Sequence, residues 1–323
     1  MHLSVIICTH NPRENYLRRT LEALERQTLP KDQWELLLID NASKEPLAEK
    51  WDLSWHPLGR HIRDDELGLT PARLRGIREA RGEVLVFVDD DNLLSADYLQ
   101  RVVQIGCRFP VLGAWGGSSL PEFETPPPAW ALPHLDHLAL RVISEDRWCN
   151  FGDTDCTVPW GAGMCVRKCV ADTYASKLSG DTLRRDLDRR GSSLISGGDE
   201  DLAMTAIDLG MGTGLFRELC LTHLIPEGRL QLDYLLRLKQ DIIYSTFVFW
   251  MLRGRPAQIR TLPPLRGWLG RIRRRLTMPR IPRLFFEAAL EGQQRYAREF
   301  CPSSAAAPQS RCGAQEAPLQ TPP

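Results

Sequence analysis

Apolar runs alternate with helix-patterned segments along this chain. The apolar runs predict buried strands, and each of them ends in polar residues. The predicted strands are Ser4–Asn11, Trp34–Ser43, Val84–Val88, Val158–Lys168 and Phe216–Pro226, and helical patterns begin at Glu14, Thr70 and Gly197. Strands and helices that alternate in this way predict an α/β fold with a mostly parallel sheet.

Three consecutive carboxylates, Asp89, Asp90 and Asp91, follow the apolar strand that begins at Val84. In an open α/β sheet, ligands bind outside the carboxyl ends of the strands. Adjacent carboxylates repel one another and are costly to desolvate, so their position favours a bound cation. A solvated turn or a helix N-terminus is the alternative, and the triplet alone does not separate the two interpretations.

The charge is unevenly distributed, although the formal net charge is zero. From Ile242 to Phe286 there are ten Arg and no Asp or Glu, interleaved with aromatic residues such as Trp250 and Trp268. This pattern predicts peripheral binding to an anionic membrane surface, and a solvated helical appendage is the alternative. We do not expect nucleic acid as a partner, because the basic segment carries no nucleic-acid-binding motif.

The cysteines predict a reducing environment. There are nine, an odd number, and none has C-x-x-C spacing. The apolar runs Leu3–Cys8 and Ile242–Leu252 are too short for a signal peptide and a membrane span, respectively. We therefore expect a cytoplasmic protein whose membrane association, if any, is peripheral and on the cytoplasmic face.

Seven motifs resemble those of family 2 glycosyltransferases with the GT-A fold, of the bacterial polysaccharide type. In chain order, between residues 3 and 229, they are SVIICTHN, LLIDNAS, ELGLTPARLRGI, VFVDDDN, PWGAGM, GGDEDLAM and LTH. The resemblance implies a Rossmann-like, mostly parallel sheet flanked by helices, with a nucleotide-sugar-binding and catalytic domain over residues 1–229. Residues 230–300 are then an Arg-rich C-terminal helical appendage, and residues 301–323 have the composition of a disordered tail.

The resemblance also implies the donor-binding residues. Thr9, His10, Asn11 and Asp40 stand where the family holds a uracil or thymine base. Asp89 matches the ribose-facing acid, Asp90 is assigned to the nucleotide as well, and Asp91 and His223 match the metal-binding positions. We expect Mn2+ or Mg2+, with Mn2+ favoured because imidazole is a softer ligand than oxygen. Arg73 and Arg229 are candidate phosphate contacts, because a guanidinium fits phosphate in a bidentate manner.

The acidic cluster Asp199, Glu200 and Asp201 is the candidate for the catalytic base. Alignment through the Asp201-Leu202 pair assigns the base to Asp199, whereas alignment on the acidic pair alone favours Glu200, so the choice stays open. A helix N-terminus also attracts acids through its dipole. Asp201, Trp160 and Gly161 are assigned to the acceptor side.

The function that the resemblance implies is an inverting transfer of a sugar from a UDP- or dTDP-sugar to a hydroxyl acceptor. The expected acceptor is a glycan or a lipid-linked molecule in polysaccharide or glycan assembly. A nucleotidyltransferase acting on sugar phosphates is one alternative, but it would follow its first strand with a glycine-rich basic loop, and residues 9–13 contain no glycine. A catalytically silent nucleotide- or glycan-binding module is the other alternative.

Overall fold

The computed structural model describes residues 2–151, 157–259 and 264–301. The strands in these ranges are β1 (Leu3–Thr9), β2 (Trp34–Asn41), β3 (Gly59–Asp64), β4 (Val84–Val88), β5 (Asn92–Leu94), β6 (Leu112–Phe123), β7 (Arg147–Cys149), β8 (Cys165–Arg167) and β9 (Gly212–Ile225). The α-helices are α1 (Glu14–Glu25), α2 (Leu47–Lys50), α3 (Leu69–Glu79), α4 (Tyr98–Arg108), α5 (Lys168–Leu178), α6 (Thr182–Arg185), α7 (Gly198–Asp208), α8 (Leu232–Leu252), α9 (Pro264–Thr277) and α10 (Arg280–Phe300). Short 3-10 turns lie at Lys31–Gln33, Leu132–Leu138 and Glu227–Leu230.

The strands form one sheet in the order β3-β2-β1-β4-β8-β6-β9-β5, with β7 paired to β9. The first four strands in this order are parallel. Strand β8 runs antiparallel to both β4 and β6, and β6 is again parallel to β9. The predicted α/β fold with a mostly parallel sheet is therefore confirmed.

The strand register brings several carboxyl ends to one edge of the sheet. Thr9 pairs with Asp40, and Ile7 pairs with Val88, the residue before the three carboxylates. Strand β5 pairs with β9 so that Asn92 stands opposite His223. The predicted strand ends therefore meet, although they are far apart in sequence.

The sheet is buried on both faces, which explains why the central strands are continuously apolar. In β2, Leu36 and Leu38 belong to one apolar cluster, whereas Leu37 and Ile39 belong to the cluster on the other face. Helix α3 packs closely on β1, because a Cβ atom added at Gly76 would lie 2.5 Å from Cγ2 of Ile6.

The helices after residue 230 share the core of the sheet. Tyr244, Val248 and Phe249 of α8 and Tyr296 of α10 belong to the buried cluster that also contains Phe87 of β4. The predicted domain boundary at residue 229 is tested by none of these contacts and stays a prediction. The predicted disordered tail, apart from Cys301, lies outside the described residues.

Several element bounds differ from the sequence-based ones. The predicted strand Val158–Lys168 is reduced to β8, because Pro159 and two glycines interrupt its first half. Strand β9 starts at Gly212 rather than Phe216, and β6 extends past Pro121 to Phe123. In the described part of the chain, no helix is both long and apolar enough to cross a membrane.

Candidate active site

A cleft of about 620 Å³ opens at the carboxyl ends of β1, β2 and β4. Most of the predicted site residues line this cleft: Thr9, His10, Arg73, Asp89, Asp90, Asp91, Trp160, Gly161, Asp199, Glu200, His223 and Arg229. Its volume lies in the range typical of small-molecule sites. The chain order of these residues shows that the cleft gathers side chains from across residues 9–229.

The three carboxylates of the triplet line the cleft; Asp91 is buried, and Asp89 and Asp90 are half-buried. Thr9 donates a hydrogen bond from its hydroxyl to Oδ2 of Asp90. Burial, followed by the repulsion of Asp91, raises the pKa of Asp90 to about 7. Burial and the same neighbour also raise the pKa of Asp89. Two of the three acids therefore hold their protons more tightly than an exposed Asp does.

Asp91 differs from the other two acids because it has cationic and polar partners. Nη2 of Arg229 lies 3.0 Å from Oδ2 of Asp91, and the side-chain amide of Asn92 donates to Oδ1 at 3.0 Å. Burial alone would raise the pKa of Asp91, but the guanidinium of Arg229 opposes it most strongly and the pKa is held below its usual range. Asp91 therefore ionises most readily of the three acids.

His223 of β9 completes this side of the cleft. Its Nε2 lies 3.5 Å from Oδ2 of Asp91 and 3.0 Å from Nη1 of Arg229. Because an Arg can only donate, Nε2 accepts and the imidazole proton lies on Nδ1. Nδ1 is buried and has no hydrogen-bond partner among the described residues.

The residues present provide two ligands for a divalent cation, Oδ2 of Asp91 and Nε2 of His223. Within the described ranges, no group of three or more His, Cys, Asp or Glu side chains is arranged to hold a metal ion. Two protein ligands suit a cation that takes its remaining ligands from substrate phosphates and water. The set fits such a cation on the condition that Arg229, which contacts both ligands, moves aside.

Asp199 and Glu200 lie in the first turn of α7, on the wall of the cleft. Oδ2 of Asp199 accepts a hydrogen bond of 2.6 Å from the backbone N–H of Gly161. A side chain at position 161 would disturb this contact, because its Cβ would lie 2.7 Å from Nη2 of Arg73 and 3.1 Å from Oδ2 of Asp199. The glycine thus permits the backbone to approach the carboxylate.

Arg73 lines the cleft but is bound by a residue that the sequence did not single out. Its Nη1 lies 2.5 Å from Oδ2 of Asp188, and both side chains are buried. Asp188 belongs to the loop between α6 and α7, within the charged run LRRDLDRR. Such a run is typical of a solvated surface, so no feature of the sequence indicates that Asp188 is buried beside the cleft.

Three predicted site residues do not line the cleft, namely Asp40, Asn11 and Asp201. The oxygens of Asp40 accept hydrogen bonds from the backbone N–H groups of Ser43 and Leu47 and from Arg63. Asn11 accepts from the N–H of Lys44 through its side-chain oxygen. The assignment of both residues to the base stays a prediction.

Asp201 lies outside the cleft lining, and its assignment to the acceptor side stays a prediction. It is 1% exposed, and its carboxylate is held by Arg184 at 2.6 Å and Arg253 at 3.1 Å. A buried carboxylate between two guanidinium groups is fully paired, which fits a structural link from α7 to α6 and to the end of α8.

The cleft lining contains further residues that the sequence did not indicate. Asp136 and His137 come from the 3-10 turn Leu132–Leu138, and Tyr234, Leu238 and Ile242 come from α8. Trp160, which was predicted, lies under the guanidinium of Arg141 at 4.2 Å from the ring centroid. This part of the lining combines apolar and aromatic surface with a few polar groups.

Comparison with known proteins assigns the chain to a family. The sequence model described as glycosyl transferase family 2 matches residues 4–164. Glycosyltransferase AglE of Haloferax volcanii is 34% identical over 104 residues, which cover 31% of this chain and 34% of that protein. The putative glycosyltransferase EpsH of Bacillus subtilis is 29% identical over 105 residues, covering 32% of this chain and 29% of that protein. This chain therefore belongs to glycosyltransferase family 2.

The fold is that of a solved family structure. Residues 1–349 of Staphylococcus aureus TarS, crystallised with UDP, align with a TM-score of 0.52 at 14% identity, covering 92% of this chain and 89% of that one. The same protein crystallised with UDP-GlcNAc aligns with a TM-score of 0.52 at 13% identity over the same shares of the two chains. The sequence matches to the curated relatives AglE and EpsH span only about a third of their lengths.

Proposed function

We propose that this chain is an inverting glycosyltransferase that transfers a sugar from a UDP- or dTDP-sugar to a hydroxyl acceptor. The observation that supports this proposal is the arrangement of charged side chains in one cleft. The ionised Asp91 lies beside His223 and Arg229, and the acids of α7 line the same cleft. A diphosphate-binding side and a proton-accepting side in one small-molecule cleft suit glycosyl transfer.

The donor side is formed by the strand ends. Thr9 and His10 lie where a pyrimidine base enters, and Asp89 faces the ribose in this proposal. Asp91 and His223 hold a divalent cation, with Mn2+ favoured because one ligand is an imidazole. The cation, when bound, neutralises the charge that develops on the departing diphosphate. Arg229 then turns from Asp91 to the phosphates, to which a guanidinium is well matched.

Asp199 is the proposed base. Its Oδ2 is fixed by the N–H of Gly161, which orients the carboxylate without protonating it. The carboxylate takes the proton of the acceptor hydroxyl as the hydroxyl oxygen bonds to the anomeric carbon. The bond from that carbon to the diphosphate oxygen breaks on the opposite face, so the configuration inverts. Glu200, its neighbour in the cleft wall, is the alternative base.

The acceptor side is the wall around Trp160, Gly161 and α8. Trp160 presents an aromatic ring backed by Arg141, and sugars pack well on aromatic faces. Tyr234, Leu238 and Ile242 add apolar surface to the same wall. These surfaces suit a glycan acceptor or one carried on a lipid, which agrees with a function in polysaccharide or glycan assembly.

A panel of nucleotide sugars tests the proposal. The full chain is incubated with UDP-, dTDP- and GDP-sugars in the presence of Mn2+, while thermal unfolding and the release of nucleoside diphosphate are measured. We expect at least one UDP- or dTDP-sugar to raise Tm and to be cleaved, and Asp199→Asn to keep the rise in Tm but lose the cleavage. Stabilisation without cleavage in wild type would favour a silent binding module, and no response to any donor would contradict the proposal.

A further inference from the structure

Helix α9 presents its apolar side chains to solvent. Trp268, Leu269, Ile272 and Leu276 are exposed by 52%, 52%, 38% and 82%, respectively. Their spacing places them on one face of the helix, since positions three to four residues apart lie above one another. An amphipathic helix of a globular domain turns such a face toward the core, so the orientation of α9 is reversed.

The side of α9 that packs on the protein is polar. Arg274 lies about 200° around the helix from Leu276, at 3.6 residues per turn. Its guanidinium lies 5.2 Å from the ring centroid of Phe286, and its Nε lies 3.6 Å from Oε1 of Glu287, both on α10. The arginine is 17% exposed. Contacts through Arg274 therefore hold the apolar stripe outward.

Cationic side chains border the exposed stripe. Arg271, Arg273 and Arg275 are exposed, and the sequence has no Asp or Glu from Ile242 to Phe286. A basic polar face beside a Trp- and Leu-containing apolar face is the pattern of helices that lie in a membrane interface. A second copy of the chain fits less well, because symmetric pairing would bring like-charged borders together.

We propose that α9 is a docking helix for an anionic membrane surface. Trp268, Leu269, Ile272 and Leu276 enter the boundary between headgroups and acyl chains, and the bordering arginines contact the anionic headgroups. Membrane binding by α9 needs neither donor nor acceptor, so the result of its test does not depend on whether the proposed glycosyl transfer is correct. If both proposals are correct, the acceptor enters the cleft at a membrane surface, where a lipid-linked acceptor resides.

Vesicle co-sedimentation of the full chain tests the proposal. The probes are vesicles of phosphatidylcholine alone and of phosphatidylcholine mixed with phosphatidylserine. We expect binding to the anionic vesicles that weakens as salt rises, because exposed charges are screened over about 8 Å at physiological ionic strength. The double variant Arg271→Gln/Arg275→Gln should bind about 25-fold more weakly, since each surface arginine contributes about fivefold. Arg18→Gln/Arg26→Gln, on the exposed side of α1, is the matched control and should bind like wild type.

The apolar stripe is tested separately. Leu269→Asp/Leu276→Asp should lose vesicle binding, whereas Val111→Asp/Leu209→Asp, at exposed apolar positions outside α9, should lose much less. Far-UV circular dichroism verifies that each variant is folded. Absent binding by wild type, or equal loss in the two pairs of Asp variants, would overturn the proposal. It would also be overturned if sedimentation velocity showed that the α9 variants only dissociate a dimer.

Discussion

Nη2 of Arg229 lies 3.0 Å from Oδ2 of Asp91, so the guanidinium of the 3-10 turn after β9 neutralises the acid that follows β4. The same guanidinium reaches Nε2 of His223 at 3.0 Å. Both proposed metal ligands thus share one internal cation. A divalent ion that binds Asp91 and His223 competes with Arg229, and this competition has a measurable consequence.

Removing the competing charge should strengthen metal binding in the absence of nucleotide. We expect Arg229→Gln to bind Mn2+ at least about tenfold more tightly than wild type, because a hydrogen bond to a charged group contributes about 1.5–3 kcal/mol. The loss of the free-Mn2+ electron paramagnetic resonance signal on titration measures this affinity. Arg101→Gln, whose ion pairs with Asp97 and Glu218 lie outside the cleft, is the control. Equal or weaker Mn2+ binding by Arg229→Gln would show that the guanidinium does not occupy the metal position.

The two candidate bases should differ in turnover and agree in donor affinity. We expect Asp199→Asn to lower kcat by about 100- to 10,000-fold, the usual contribution of a positioned base. Glu200→Gln should retain most of the activity. The Kd for the nucleoside diphosphate should stay within about threefold in both, because the base acts on the acceptor proton. A large loss of kcat in Glu200→Gln with none in Asp199→Asn would show that Glu200 is the base. Near-normal kcat in both variants would show that the base does not lie on α7.

The close approach of Gly161 to Asp199 gives a prediction that does not change any charged group. We expect Gly161→Ala to lower kcat by about a hundredfold, because its Cβ displaces the carboxylate from its position. Overpacking at this contact should also lower the free energy of unfolding by about 1–3 kcal/mol. Gly267→Ala is the control, since nothing lies within 4 Å of its added Cβ. Unchanged kcat in Gly161→Ala would show that the contact has no function in catalysis.

His56 predicts part of the pH dependence of stability. Burial, aided by Lys31, lowers the pKa of His56 to about 4. The unfolded state therefore binds the proton more tightly, so this contribution to stability is complete above about pH 6.5 and is lost as the pH falls toward about 4. We expect urea unfolding of wild type and His56→Gln to differ most at neutral pH, with the difference shrinking on acidification. A difference that is constant from pH 7 to pH 4 would contradict the lowered pKa.

The sequence predicted the residues of the proposed donor side better than those of the proposed acceptor side. Asp91 and His223 follow or end apolar strands, and the geometry of a parallel sheet gathers such residues at one edge. The pairing of β5 with β9, which places Asn92 opposite His223, could not be predicted from the sequence of either strand alone. It depends on which strands become neighbours in the sheet.

The residues of the proposed acceptor side were largely missed because they lie on turns and on a helix that the sequence pattern assigned to an appendage. His137 belongs to a 3-10 turn, and Tyr234 and Leu238 belong to α8, which packs against the sheet core through other faces. Asp201 was assigned to the site because its neighbours in sequence are acidic, but its carboxylate pairs with Arg184 and Arg253 instead. Successive residues of a helix point about 100° apart, so Asp201 points about 200° away from Asp199.

Binding of UDP and dTDP by calorimetry, with and without Mn2+, tests the central claim most directly. We predict that at least one of the two nucleotides binds wild type, that Mn2+ strengthens this binding, and that Asp91→Asn abolishes the effect of Mn2+. Asp97→Asn, whose side chain pairs with Arg101 outside the cleft, should behave like wild type. Failure of both nucleotides to bind, or the same Mn2+-dependent affinity in wild type and Asp91→Asn, would contradict the account.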